Sequence, residues 1–207
     1  MENVNVSLGP EGVLRALKPR LLAGSREIID RIREERGLTA KDLPYFTQIL
    51  GNPRPVASVG EYPIAMLKVN GNTGKMDNRT TSGTSTADVF RYTYRVTVLV
   101  LGLGSRMDET GALMHRLATA IRDGAVLNRN LVDSNANGDG PEARVLTTDM
   151  IVRFDDVVDT SAGFFGGAEV EFTVKTREPL PTNEGFRGGI PEAGEIAVGV
   201  ELYTFPT

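Results

Sequence analysis

Cysteine is absent from the 207 residues, and His115 is the single histidine. Without cysteine there are no disulfides, no thiolate nucleophile and no Cys-ligated zinc or iron–sulfur centre. A basic excess is also missing: 23 Lys and Arg stand against 27 Asp and Glu, a formal net charge of -4. Phosphate binding needs a cationic surface, so a chain whose main task is to coat nucleic acid is not expected. Long apolar runs are lacking too. Nowhere do about 18 uninterrupted apolar residues occur, so no membrane partner is expected. The start, "MENVNVSLGPEG", has an acidic residue at position 2 and no apolar stretch of the kind an export signal needs. Asn78-Arg79-Thr80 matches a glycosylation sequon, but without an export signal it reads as a chance match.

What is present is ordinary for a globular chain, with 40% hydrophobic and 24% charged residues, and one main domain over 1–207 is expected. Pro10 to Gly37 reads as helical through the spacing of Val13, Leu14, Leu17, Leu21 and Leu22. Pro19 should kink or break it, Ser25 should cap a restart carrying Ile28, Ile29 and Ile32, and Gly37 should end it. Prolines 44, 53, 55 and 63 make the next stretch a set of connections. "IAMLKV" after Pro63 reads as a strand ending at Asn70-Gly71. Residues 71–86, "GNTGKMDNRTTSGTST", are nearly all small or polar and read as a long flexible loop.

From Phe90 the chain alternates strictly. Phe90, Tyr92, Tyr94, Val96, Val98 and Val100 fall on one face, and Arg91, Thr93, Arg95 and Thr97 on the other. Asp108 should cap a helix to Asp123, with Leu113, Met114, Leu117 and Ile121 buried and Gly124 beyond its end. A strand follows from Arg144 to Phe154, aligning Leu146, Met150, Val152 and Phe154. After a break at "DTSAGFFGG", a second strand points Ala168, Val170, Phe172 and Val174 inward and Glu169, Glu171, Thr173 and Lys175 outward. Residues 178–195 are rich in proline and glycine and read as an extended arm, before a last short strand, "EIAVGVELYTF". The sum is an α+β fold: a mainly antiparallel sheet packed with helices, with a long polar loop and an extended C-terminal arm.

The chemical motifs are weak. Gly102-x-Gly104 between strand and helix imitates a dinucleotide fingerprint, but the third glycine position is Met107, and Asp108 and Glu109 put negative charge where a pyrophosphate would sit. Asp133, Asn135, Asn137 and Gly138 open like a calcium loop, yet the closing carboxylate position is Arg144. His115 has no nucleophile or histidine companion, which suits a helix flank better than a general base. Asp149, Asp155, Asp156 and Asp159 read as a solvated acidic turn. The charges of Arg15 to Arg36 are interleaved with Glu27, Asp30, Glu34 and Glu35, as on a solvated helix face. No catalytic, cofactor-binding or metal residue is expected from this set. The rival within the enzyme class is a calcium-dependent or hydrolytic domain using the Asp133 to Asp159 carboxylates.

Long strands with open borders and loose extensions invite association. Copies arranged around a ring would satisfy them by sheet-edge or arm exchange.

The order of "YRVTVLVLG", "DETGALMHRLATAIRDGAV" and "GGAEVEFTVKTREPL" resembles the tail terminator, or tail completion, proteins of long-tailed bacteriophages. The likeness covers about Phe90 to Leu180 as a pattern of elements. It implies a non-enzymatic virion protein of the tail neck region, assembled in the host cytoplasm as a homo-oligomeric ring, a hexamer in that family. Such a ring ends polymerisation of the tail tube, contacts the tube protein on one side and the head–tail connector or stopper on the other, and lets genome DNA pass without sequence-specific binding. A different neck or head-completion protein is the alternative within the same class.

Overall fold

A computed structural model describes residues 8–51, 61–82, 85–132 and 142–181. In chain order these form α1 (Gly9–Arg36), β1 (Gln48–Leu50), β2 (Ile64–Ser82), β3 (Ser85–Gly104), α2 (Met107–Leu127), β4 (Asn130–Val132), β5 (Glu142–Phe154), β6 (Val158–Thr160) and β7 (Gly163–Pro181). The seven strands make one sheet in the order β1-β2-β3-β7-β5-β4, with β6 paired to β7. Every pairing is antiparallel except β1 with β2. The α+β expectation therefore holds, with β1 as the parallel exception.

Both helices lie on one face of the sheet. Alternation along β3 and β7 sends Val96, Val98, Val100, Ala168, Val170, Phe172 and Val174 to that face, where all are fully buried. Leu17, Leu21 and Ile29 of α1 and Leu117 and Ile121 of α2 close over them in one core.

α1 is continuous, contrary to the expected break at Pro19 and restart at Ser25. Pro19 and Arg15 are both exposed, so water can satisfy the Arg15 carbonyl that the proline leaves without an N–H. Ser25 is buried, and its hydroxyl donates back to the Leu22 carbonyl at 3.2 Å instead of capping. Gly37 does end the helix, in the left-handed conformation at φ 62°. α2 starts at Met107 with Arg106 at the cap position and no side-chain cap, so Asp108 lies in the first turn. There its carboxylate and that of Glu109 face the helix dipole and pair with Arg106 at 3.3 and 3.7 Å. Gly124 is inside the helix, because α1 crosses α2 there, Gly24 against Gly124.

Residues 71–82 and 85–86 are strand, not loop. β2 runs through Asn70-Gly71 with a register shift, Gly71 taking φ +122°, and pairs with β3 as far as Ser82 and Ser85. The polar composition predicts poor burial, but a strand ladder needs only backbone partners, and β3 supplies them. The start of the expected C-terminal arm is likewise strand, since β7 continues to Pro181 opposite Ala87. Residues 182–195 and the last expected strand lie outside the described residues. In β5 the inward set changes parity: Ala143 and Val145 are buried, the register shifts between Leu146 and Ile151, and Met150 and Val152 face the core afterwards. A single alignment of Leu146 with Met150, Val152 and Phe154 missed that irregularity.

Candidate functional site: the helix-free sheet face and its two borders

The expected chemical motifs disperse in the fold. Gly102 and Gly104 are the last turns of β3, not a cradle: a Cβ on Gly102 would come within 2.8 Å of Met114 Sδ, and one on Gly104 would strike the Thr110 hydroxyl. Gly166 on the neighbouring strand meets Met114 in the same way. These glycines let α2 lie close on the sheet. His115 is exposed on α2 and its ring lies 3.8 Å from that of Phe154, a helix-flank contact. It also borders an open cleft of about 600 Å³ between α1 and α2, floored by Ile28 and Ile32. Asp149, Asp155, Asp156 and Asp159 are exposed, and among the described residues no three His, Cys, Asp or Glu gather as metal ligands. Asp133, Asn135, Asn137 and Gly138 lie outside the described residues. On α1 Glu11 pairs with Arg15 and Glu27 with Arg31 as on a solvated face, whereas Arg33, paired with Asp30, is largely buried and donates to the Leu43 carbonyl at 2.9 Å.

The face of the sheet away from the helices is different. At one end Ile64, Met66 and Leu101 form a small apolar cluster, and the Tyr62 ring meets Phe165 edge-on at 5.6 Å. Beyond it the face is charged. Arg95 pairs with Glu171 at 3.1 Å, and Arg153 reaches Glu171 at 3.2 Å and Glu169 at 3.4 Å. The hydrogen bonds to Glu171 first, and to Glu169 second, raise the Arg153 pKa above the usual guanidinium value. Farther along, strand register sets Arg91 opposite Arg177 and Arg144 opposite Lys175. Lys68 shares the face, opposite Thr97.

Both borders of the sheet are long. β1 covers β2 only at Ile64 to Met66, and β4 covers β5 only at Ala143 and Arg144. Among the described residues nothing pairs with the outer side of β2 from Leu67 to Ser82 or of β5 from Leu146 to Phe154. β2, β3, β7 and β5 alternate in direction, so the two border strands run oppositely. Apolar side chains mark the β5 border: Ile151 is 45%, Phe154 43% and Val158, on β6, 55% exposed. A soluble sheet normally blunts such an edge.

Sequence reasoning separated Arg91 and Arg95 from the core face but did not join them to Arg144, Lys175 and Arg177. The signal was the shared odd parity on β3 and β7; the missing piece was the register that aligns the strands. Neither the family models nor the curated proteins searched match this chain.

Proposed function

We propose that this chain is a ring-forming virion structural protein, a tail terminator at the head-proximal end of a long phage tail. One observation carries the reading: among the described residues the sheet has two long free borders that run in opposite directions. Copies placed head to tail therefore bring β5 of one against β2 of the next as an antiparallel pair, and the four-strand alternation repeats without a break. A slide of a few residues along the strands clears β1, and such stagger is what closing a sheet into a ring requires. Heterologous contacts of this kind close into rings when the rotation per copy permits.

The mechanism is geometric. One rim of the ring copies the docking surface of the tail tube protein and accepts the last tube ring; the other rim lacks that surface, meets the connector or stopper, and so ends polymerisation. No bond is made or broken.

Sedimentation velocity with negative-stain imaging tests this. A closed species near 134 kDa, about six times the 22.4 kDa chain, is expected for a hexamer. Ile151→Lys with Phe154→Glu on the free border should leave folded monomers by circular dichroism. Monomers of the unaltered chain at every concentration, or a ring indifferent to both substitutions, would sink the reading. Abnormal tube lengths on deletion separate a terminator from another neck component.

A further inference from the structure

The two borders of the sheet are not alike. From Leu67 to Ser82 the β2 border carries Lys68 and Lys75, Gly71 and Gly74, and two register shifts against β3. Lysines, glycines and irregular register discourage pairing at an edge. The β5 border has one register shift, after Leu146, and no lysine, proline or glycine as far as Phe154. Its charges are Asp149 and Arg153, and Arg153 is already held by Glu169 and Glu171. Ile151 on the helix-free face and Phe154 beside His115 of α2 are both exposed. A border of this kind is a template for any passing strand, so a chain that waits as a monomer before assembling needs it covered.

The chain carries a segment suited to that cover. Outside the described residues, Glu195 to Phe205 reads "EIAVGVELYTF", in which Ile196, Val198, Val200 and Leu202 alternate with small or polar residues. Its 11 residues match the nine of β5 from Leu146 to Phe154 that β4 leaves uncovered. The reach is sufficient. β7 ends at Pro181, eight residues past Thr173, the partner of Leu146. The uncovered stretch therefore starts about 27 Å back along the sheet and two strand spacings, about 10 Å, across. The 13 residues from Thr182 to Gly194 span up to about 43–47 Å, which leaves slack to pass around β4. A segment returning this way runs against β7 and so along β5, which makes the pair parallel, as β1 is with β2. Its apolar row would continue the helix-side row of Met150, Val152 and Phe154 and extend the core beside α2.

We infer that residues 195–205 add as a strand to the β5 border of their own chain, and that this strand must leave before β2 of another copy can take its place. The first half rests on strand chemistry and reach alone; the second rests on the head-to-tail reading given above.

Hydrogen exchange of the full chain, compared with full-length Val198→Pro with Val200→Asp, tests the strand. The proline removes a ladder N–H and the aspartate interrupts the apolar row. The outward amides of 146–154 should be protected in the parent and exchange about tenfold faster or more in the variant, with Val96 to Val100 alike in both. Sedimentation of the same samples over a range of protein concentrations tests the competition: the variant should assemble at lower concentration than the parent. Unprotected border amides in the parent, or equal exchange in parent and variant, would overturn the strand addition. Protection confined to concentrations at which oligomers sediment would overturn it too, because a second copy would then be the cover. If the variant frees the border while assembly starts at the same concentration, the segment does not gate the ring. If neither protein assembles, the ring reading and the gating fail together, while the exchange result still decides the strand addition.

Discussion

Two glycines inside helices should respond to alanine with opposite signs. At Gly24 the crossing with α2 is so close that a Cβ would lie 2.5 Å from the Gly124 carbonyl oxygen, 2.6 Å from Asn128 Nδ2 and 2.9 Å from the Gly124 carbonyl carbon. Ordinary contact begins at 3.4 Å, so the helices must separate by about 0.9 Å or bend. The obstacle is backbone and does not swing aside. The added group also displaces the Asn128 side chain, which donates to the Arg20 carbonyl at 3.3 Å and ties the end of α2 to α1. Overpacking of this kind costs about 1–3 kcal/mol, and the helix propensity of alanine returns about 0.5–1 kcal/mol. Gly24→Ala should thus lose about 1–2 kcal/mol, a Tm drop of about 2–8 °C for a domain of this size. Gly111, in α2, has nothing within 4 Å of its missing Cβ. Gly111→Ala should gain about 0.5–1 kcal/mol, and Tm should rise by about 1–4 °C. Urea unfolding followed by circular dichroism, at one fixed protein concentration, measures both. If Gly24→Ala is as stable as the parent with an unchanged m-value, the close crossing is wrong.

Other substitutions probe separate parts of the fold. Glu178 is fully buried and accepts from the Leu8 N–H at 3.1 Å, the Thr176 hydroxyl at 2.7 Å and the Tyr94 hydroxyl at 3.3 Å. Glu178→Leu should cost about 1–3 kcal/mol in urea unfolding, and Glu178→Gln less because an acceptor remains. Phe172→Ala, at a fully buried site under both helices, should cost about 3–5 kcal/mol in the same assay. At Asp42, the hydroxyl and then the N–H of Thr39 hold the carboxyl below its ordinary pKa of 3.8. A depressed pKa contributes stability that is complete above the ordinary value and lost as pH falls through the lower folded one. The Tm difference between parent and Asp42→Asn should therefore be constant at neutral pH and disappear in acid.

The parts of the fold set by periodicity were legible in the sequence. The alternation of β3 and of Ala168 to Val174, and the stripe of α2, are local patterns tied to burial, and the structure places them as read. Three things were not legible. Pro19 reads as a helix breaker because sequence does not reveal that its turn faces water. Gly124 reads as punctuation beyond a helix end, when it is spaced for Gly24 across a helix crossing 100 residues apart in sequence. Residues 71–86 read as loop because composition reports burial, whereas strand pairing there is decided by the partner. The charged face failed for a related reason: parity along one strand is local, but the opposition of Arg144 with Lys175 exists only after two strands are aligned.

The far hairpin gives the last test, because it forms the end of the sheet. Beyond Tyr94 the ladder continues through Phe90 and Met76 to Ser82 and Ser85, flanked by β7 as far as Pro181. Among the described side chains, Tyr94 is the last fully buried hydrophobic one of β3 toward this end, and Leu8, just before α1, lies beside Glu178. Three strands alone are near the limit of independent stability, and local openings cost least at the ends of a sheet. Amides of 73–82 and 85–89 should therefore exchange far faster than those of Val96 to Val100 in the isolated chain. If copies pair border to border, β5 from Leu146 to Phe154 covers part of the free side of β2 beyond Met66, and the outward amides of that part become protected on assembly. Hydrogen exchange on the monomeric border variant and on the assembled chain measures the difference. Equal exchange in both would show that β2 remains a free edge in the assembly, and the head-to-tail pairing would have to be abandoned.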